Sequence, residues 1–526
     1  MRDQKRPDQA VRVPGGAGAW LATGAQSPGA PYSGAPSPDA PSGEAWRLVL
    51  PLALAQFISS YAASSLNVAI STIAADLRTT VIGMQTTITL FTLTMAALMI
   101  PGSKLSDLFG RKTCFMAGLA VYGIGALIAS ASQGLGAMIL GNSLLEGIGS
   151  ALMIPPVYIL VTVSCTDPRT RAKGFGVVSG AAGLGAAAGP LLGGLITNSL
   201  GWRAMFLLQV AVIVAIIVLA RAIVDPPRQG PRPPFDLGGA VLSAAGLFLL
   251  VLGILQTGTY GWFVCRKDFT VAGTVLIPKG GMSPVWLFIG AGAVVLAWFF
   301  RYLRARERKG REPLIHRRLF RNRTANLGLV VQTIQWLTMQ GSFFVISVYL
   351  QQVHGFNPIQ TGLMLTPATV GILASSAAAG RLARRHSQRR LVIMGFVVTC
   401  AGMAMLLALA RATSANTRFV PGLLLMGLGI GVMLTSAVTI VQSSFPDADQ
   451  GDISGLSRAA SNLGSSLGTA LAGSILVAAA YPGGRPFALS LTTLLVISVL
   501  GLAASWRIPA QPEPAPPPDR AARPAR

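Results

Sequence analysis

Long apolar runs dominate the chain, and short polar loops separate them. Each run is about as long as the roughly 20 residues that a helix needs to cross a bilayer. The runs lack the period-two alternation of transmembrane β-strands. The pattern therefore predicts fourteen membrane-spanning helices, at residues 47–75, 83–104, 112–132, 135–163, 171–199, 203–224, 236–257, 284–306, 323–352, 358–384, 388–410, 418–443, 451–480 and 486–507.

Lys and Arg indicate the orientation of these spans, because cytoplasmic loops carry an excess of both residues. With the N-terminus inside, only eight of the 42 basic residues fall in outer loops. These eight are Arg78, Arg203, Arg266, Lys267, Lys279, Arg411, Arg418 and Arg485. An even number of spans places both termini in the cytoplasm. Their Pro-rich and Ala-rich segments, 1–44 and 508–526, are predicted to be disordered tails.

Similar short segments recur about 280 residues apart. The pairs are Glu146-Gly-Ile-Gly with Met426-Gly-Leu-Gly, Gly183-Leu-Gly185 with Asn462-Leu-Gly464, and Ser103-Lys-Leu-Ser with Gly380-Arg-Leu-Ala. A shared offset indicates two parallel six-helix repeats, 45–225 and 311–507, with two inserted helices at 226–310. We therefore expect an all-α integral membrane protein of 6+2+6 arrangement. Such repeats are typical of secondary transporters with a site at the repeat interface.

The loop between helices seven and eight, residues 258–283, differs from the others. Its β-branched and aromatic runs flank Gly273, and this pattern predicts a small extracellular β-hairpin.

Composition and charge exclude several classes of protein. Hydrophobic residues make up 52% and charged residues 11% of the chain, whereas soluble proteins carry about 25% charge. The net charge of +24 lies in loops and tails, so we expect no nucleic-acid partner. The four scattered cysteines, Cys114, Cys165, Cys265 and Cys400, predict no disulfide, metal site or redox motif. We expect no cofactor, and the absence of a Walker motif disfavours a primary pump.

The loop after the second span reads Ser103-Lys-Leu-Ser-Asp107-Leu-Phe-Gly110-Arg111-Lys112. It resembles the signature loop of the major facilitator superfamily, GxLaDRxGRK, with its first Gly displaced and Leu108 in place of a basic residue. In that family the loop latches one half against the other. The resemblance implies that Asp107 faces Arg458 and that Arg111 pairs with Asp167, while Gly110 permits a tight turn and Lys112 keeps the loop inside. The alternative is an ordinary topogenic loop.

Span five contains a second familial pattern, GxxxGPxxGG. Its fixed positions are Gly185, Gly189, Pro190, Gly193 and Gly194. Small residues at this spacing allow close helix packing, and the proline bends the helix. The family associates this motif with export by exchange. Together with fourteen spans, it resembles the drug:proton antiporter branch that has two extra helices.

Three positions depart from that branch. Ala62 stands where span one usually has an Asp, Ser143 replaces the Arg of span four, and Glu146 replaces its Gln. Glu146 is also the one acid of the 18 that lies deep in a predicted span, roughly 16 Å from the start of its helix. An ionisable group at that depth suggests function, and we predict that Glu146 exchanges the proton and contacts a cationic substrate. Alternatively, it is a neutral Glu that bonds a neighbouring helix, with Asn142 as a helper.

Two polar stripes at helical spacing are candidates for the lining of a substrate path. They consist of Gln56, Ser60, Ser64 and Asn67 in span one, and Gln332, Gln335, Trp336 and Gln340 in span nine. Their alternative role is to hold helices together.

The predicted function is proton-coupled export of an amphiphilic small molecule, such as a drug or secondary metabolite, by a monomer in the cell membrane. A uniporter or a proton symporter for a lipidic or neutral metabolite is the first alternative. A sensor or scaffold without transport is more remote. An intramembrane enzyme would need paired acids, a His cluster or an activated nucleophile at membrane depth, and the sequence has none there.

Overall fold

The computed structural model describes residues 42–164, 168–223, 235–271, 274–409, 416–445, 450–478 and 485–509. Most of both predicted tails, together with Asp167 and Gly273, lies outside these ranges. Within them the chain forms α1 (Ser42–Asp76), α2 (Val81–Phe109), α3 (Arg111–Ser130), α4 (Leu135–Met138), α5 (Gly147–Ser164), α6 (Pro168–Leu200), α7 (Arg203–Ala220), α8 (Leu237–Tyr260), α9 (Val285–Arg308), α10 (Arg323–Gln352), α11 (Pro358–Leu382), α12 (Gln388–Leu409), α13 (Phe419–Gln442), α14 (Gln450–Ala478) and α15 (Arg485–Trp506). A π-helical segment, Ile139–Glu146, joins α4 to α5, and 3₁₀ turns occupy Arg317–Arg321 and Asn416–Arg418.

Helix ends differ from the predicted spans where charged residues follow an apolar run. The second span was expected to end at 104, but α2 continues to Phe109. A helix does not stop where its side chains become polar; here it ends at Gly110, whose φ of +103° is a conformation that favours glycine. The apolar run therefore marks the membrane-embedded part and not the whole helix.

Among the described residues, twelve helices are long and apolar enough to cross a membrane, with α4, the π-helical segment and α5 counted as one. A thirteenth is α6, which bends by 42° between Ala186 and Ala188. Pro190 explains this bend, because a proline ring displaces the carbonyl four residues earlier. These observations establish an all-helical membrane protein with about twelve to thirteen spans.

The helices contact one another in two similar sets. In the first set α1 packs on α6, α3 on α5 and α7, and α2 on α5. In the second set α10 packs on α14, α12 on α13 and α15, and α11 on α13. Two large contacts join the sets, α6 with α11 and α2 with α14. The helices α8 and α9 pack on each other, and α8 also contacts α2 and α14.

A small antiparallel sheet joins α8 to α9. Its strands are β1 (Phe269–Val271) and β2 (Thr274–Ile277), and an irregularity follows the pair Phe269 and Ile277. The Phe269 ring meets Tyr260 and Phe288 edge to face, with centroids 5.4 and 6.1 Å away. These aromatic contacts attach the sheet to the ends of both helices.

Asp236 holds the other ends of these two helices together. The carboxylate is buried and accepts hydrogen bonds from the backbone N–H of Gly239 and Leu314 and from the Tyr302 hydroxyl, each at 3.0 Å. Arg306 lies 3.4 Å away and completes the contact. One side chain thus caps α8 and fixes both the end of α9 and the segment after it.

We expect Asp236→Ala to lower the thermal unfolding temperature of the detergent-purified protein by several degrees. The substitution leaves the buried N–H groups of Gly239 and Leu314 without their acceptor, at about 1–3 kcal/mol for each unsatisfied group, and it removes a partner of Tyr302 and Arg306. Asp268→Ala is the matched control, because Asp268 also accepts one backbone N–H, that of Lys279, but at an exposed position. Equal shifts for the two variants would contradict this role of Asp236.

Candidate functional site

Glu146 lies inside the helix bundle, at the end of the π-helical segment, and its side chain is fully buried. A Cβ atom added to Gly125 of α3 would lie 2.8 Å from the Glu146 backbone nitrogen. A Cβ atom on Gly141 would lie 2.6 Å from the Ala129 nitrogen of the same helix. Only glycine at these positions allows α3 to approach so closely. The widened π-helical turn, a feature often found at functional sites, therefore presses Glu146 against α3.

The polar partners of Glu146 come from its own helix and from α3. Its Oε2 atom accepts a hydrogen bond of 3.1 Å from Asn142 Nδ2, and its Oε1 atom has no hydrogen-bond partner among the described residues. The Tyr122 hydroxyl interacts electrostatically with the carboxyl group and donates its hydrogen to Gln209 Oε1 of α7 at 2.6 Å.

No Lys or Arg forms an ion pair with Glu146 among the described residues. An isolated carboxylate in apolar surroundings costs much free energy, unless a proton or another cation neutralises it. The site can therefore bind a proton, or a cation that reaches the free Oε1 atom. Ser143 occupies the position at which the family has an Arg. Its hydroxyl donates to the Thr87 carbonyl of α2 at 2.8 Å.

Sequence reasoning missed two polar residues connected to this carboxyl group: Tyr122, and its hydrogen-bond partner Gln209. Both are buried. A signal was present, because Tyr122 and Gln209 are isolated polar groups in otherwise apolar spans. Pairing them required knowledge of which helices are neighbours.

The predicted stripe of α1 makes contacts of two kinds. Ser64 donates to the backbone carbonyls of its own helix, while Ser60 is half-buried. Gln56 Oε1 and Asn67 Oδ1 are buried without a hydrogen-bond partner among the described residues. The Asn67 carbonyl accepts from Ser347 at 2.6 Å and from Gln351 at 3.2 Å. The Asn67 end of this stripe therefore contacts α10.

The predicted stripe of α10 is divided in the same way. Gln332 holds α10 against α14, because it forms hydrogen bonds with Ser457 and Ser461 of α14. Gln340 donates to the Ala63 carbonyl of α1 at 3.2 Å. Trp336 is half-buried against the main hydrophobic cluster, and both polar atoms of the buried Gln335 lack partners among the described residues. The structure thus brings the two stripes together at Gln340. Gln56 Oε1 and both polar atoms of Gln335 are buried without a hydrogen-bond partner among the described residues.

The glycines of the GxxxGPxxGG motif seat α6 between two helices. Added Cβ atoms on Gly185, Gly189 and Gly193 would collide with Phe57, Ser64 and Ser65 of α1. A Cβ atom on Gly194 would meet the Pro358 carbonyl at the start of α11, and the Pro190 carbonyl occupies the corresponding space beside Gly362. The motif therefore brings α1 and α11 into backbone contact with α6.

We expect Gly189→Ala to lower the thermal unfolding temperature, because the new methyl group would lie 3.0 Å from Ser64 Cβ and 3.1 Å from the Ser65 nitrogen. Overpacking of this kind costs about 1–3 kcal/mol. Gly183→Ala is the control on the same helix, since its methyl group would meet no atom within 4 Å. That control should be neutral or stabilising by up to about 1 kcal/mol. An equal rise in unfolding temperature for both variants would disprove the close contact.

The last turns of α2 and the residues that follow it make two contacts that the motif did not predict. Lys104 Nζ lies 2.8 Å from Asp452 Oδ1 at the start of α14, and Lys112 Nζ donates to the Arg221 carbonyl at 3.0 Å. The side chain of Asp107 and the whole of Asp167 lie outside the described residues, so their expected pairs with Arg458 and Arg111 stay predictions. An isolated acid in the first turn of α14 was the available signal for the Lys104 pair.

We expect charge reversal at Asp452 to loosen this end of the α2–α14 contact. Ser103 packs beside Gly455 of α14, so Ser103→Cys in a cysteine-free background reports on this contact. Asp452→Lys should raise the rate of maleimide labelling of that cysteine by about tenfold, because two cations replace an attractive pair. The double swap Lys104→Asp with Asp452→Lys should restore slow labelling. Fast labelling of the double swap would show that the ion pair does not hold the contact.

The chain is similar in sequence and in fold to known transporters. The family model described as Major Facilitator Superfamily matches residues 52–269, 269–469 and 328–526. The tetracenomycin C resistance and export protein of Streptomyces glaucescens is 27% identical over 82% of this chain and 76% of its own length. The methylenomycin A resistance protein of Bacillus subtilis is 25% identical over 88% and 96% of the two chains. The crystal structure of the human organic anion transporter MFSD10 covers 88% of this chain and 99% of its own, with a TM-score of 0.55 at 14% identity.

Proposed function

The chain belongs to the Major Facilitator Superfamily and is a multi-pass membrane transporter, and we propose that it exports an amphiphilic small molecule in exchange for protons. Its relatives are named as export or resistance proteins for tetracenomycin C and methylenomycin A, and as a probable actinorhodin transporter of Streptomyces coelicolor at 29% identity. These names support a drug or secondary metabolite as the cargo.

The proposed topology has fourteen spans in a 6+2+6 arrangement. It adds α14 to the thirteen helices that are long and apolar enough to cross a membrane among the described residues. Because α14 is rich in Ser and lies between α2 and α10, its hydroxyl groups bond neighbouring helices instead of facing lipid. The buried Ser461 and Ser466 are examples. Arginine-rich loops support cytoplasmic termini in the cell membrane, which places the β1–β2 sheet outside. Both halves of the site come from one chain, which supports a monomer.

The two similar sets of helices support alternating access. Residues 45–225 and 311–507 would rock against each other, with 226–310 as the inserted pair. The equivalence of the contacts within each set supports this division. Asn67 and Ser347 are 280 positions apart, the offset of the sequence repeats, and they touch. Equivalent residues of two repeats meet only near the axis that relates them, so this contact supports a central pseudo-twofold axis.

The observation that carries the coupling proposal is the burial of Glu146 without a cationic partner among the described residues. A carboxyl group in this position gains by binding a proton or a cationic cargo, and one site cannot hold both. Competition for Glu146 would therefore convert the proton gradient into export. Gln56, Gln335 and Trp336 lie on the central helices α1 and α10, and we assign them to the substrate path. The junction of α2 and α3, with Lys104, Asp107 and Arg111, would act as the cytoplasmic latch.

We expect Glu146→Gln to slow substrate-driven proton movement strongly while the protein still folds. Inside-out vesicles acidified by respiration would carry a fluorescent pH probe and receive cationic, neutral and anionic amphiphiles in turn. A transported compound should dissipate the gradient with the wild type and with Glu312→Gln, an exposed acid outside the spans, but at least about tenfold more slowly with Glu146→Gln, since the proton site is lost.

Two results would oppose the proposal. Equal proton movement with Glu146→Gln and the wild type would make Glu146 structural. Export of a labelled compound without any proton movement would favour a uniporter, a reading that the missing span-one Asp at Ala62 also favours.

A further inference from the structure

The end of α9 carries a cavity that has no place in the transport mechanism. It measures about 350 Å³ and lies between the last turns of α9 and the 3₁₀ turn Arg317–Arg321. Its walls are four arginines and two phenylalanines: Phe300, Arg301, Arg304, Arg317, Phe320 and Arg321. Arg301 and Arg304 share one face of the helix because they are three residues apart. The Phe300 and Phe320 rings meet edge to face, with centroids 5.4 Å apart, and form the apolar wall.

The four arginines of this cavity form no ion pair with a carboxylate in the part of the chain that the structure describes. Glu307, which lines an adjoining cavity with Arg317 and Arg321, accepts the backbone N–H of Arg317 at 2.8 Å. By contrast, Arg306 on the other side of α9 is paired with Asp236. The four exposed guanidinium groups therefore converge on a space suited to an anion.

The position of the cavity along α9 corresponds to the headgroup region of a bilayer. The preceding turns of α9 present apolar side chains outwards, with Leu287 61%, Val294 68% and Trp298 61% exposed. Such a face is suited to lipid chains, and Trp is enriched at the membrane–water boundary. Arg301 follows Trp298 by one turn, so the arginines begin where the apolar face ends.

We infer that this cavity binds the phosphate headgroup of an anionic phospholipid, such as phosphatidylglycerol or cardiolipin. A planar guanidinium group donates two parallel hydrogen bonds to phosphate oxygens, and basic pockets between membrane helices bind anionic headgroups. The acyl chains of the lipid would lie along the exposed apolar face of α9. Free phosphate shares the headgroup chemistry but would gain nothing from that face, which is why the lipid is the better ligand.

Lipid retention by the full chain tests the site. The detergent-purified protein would be titrated with phosphatidylglycerol, and bound lipid counted by native mass spectrometry. Loss of two charges in Arg304→Gln with Arg317→Gln should weaken binding by about 30-fold, which is about 2 kcal/mol at 1.4 kcal/mol per tenfold. The control Arg308→Gln with Lys309→Gln removes the same charge from exposed positions at the same end of α9, outside the cavity, and should bind nearly as the wild type does.

Competition distinguishes the two sources of phosphate. Millimolar inorganic phosphate should leave phosphatidylglycerol bound to the wild type, and phosphatidylcholine should bind much more weakly. Equal loss of lipid in both double variants would show diffuse attraction to a basic surface and overturn the site. Displacement by inorganic phosphate, or equal binding of both lipids, would overturn the choice of an anionic lipid. Since these competition measurements use the wild type, they decide the question even if the cavity variant does not fold.

Discussion

Close backbone contact between helices, at positions without a side chain, is the constraint on which the rest of this structure depends. A bilayer supplies little hydrophobic force to join helices, so packing and internal hydrogen bonds must do so. Gly185 and Gly189 let α6 lie against α1. Gly464 and Gly468, each 279 positions later, place α14 against α10 at Thr333 and Leu337. The same contact is thus made twice, once in each set of helices.

The polar interior depends on this packing. Every polar group at membrane depth must find its partners inside the protein, and a helix can offer such partners only if its neighbour is close. Gly125 and Gly141 bring the π-helical segment onto α3, and that approach places Tyr122, with its partner Gln209, beside the carboxyl group that Asn142 of the same segment bonds. A bulkier residue at either glycine would separate the helices and expose the carboxyl group to a void or to lipid.

The inserted pair α8 and α9 follows different rules. Its two helices are held to each other by one buried acid, Asp236, at one end, and by a few aromatic contacts of the small sheet at the opposite end. Its outer face is largely uncovered by protein, unlike α1 or α10. The pair therefore behaves as a peripheral element, in contact with the central helices α2 and α14 on one side and suited to lipid on the other. Its basic end extends that lipid-facing surface into the headgroup region.

Most helices, the small sheet and the burial of Glu146 were predictable from the sequence. Apolar run length depends on bilayer thickness, and a lone acid within such a run is visible without coordinates. The family itself was readable from the Gly185–Gly194 motif and the loop at Asp107. Only the tertiary structure decided which polar groups meet. It assigned Gln332 to α14 and Gln340 to α1, added an ion pair between Lys104 and Asp452, and added Tyr122 and Gln209 to the site. The physical reason is that hydropathy reports the preference of each segment for the bilayer, whereas a hydrogen bond between helices depends on their rotation and neighbours.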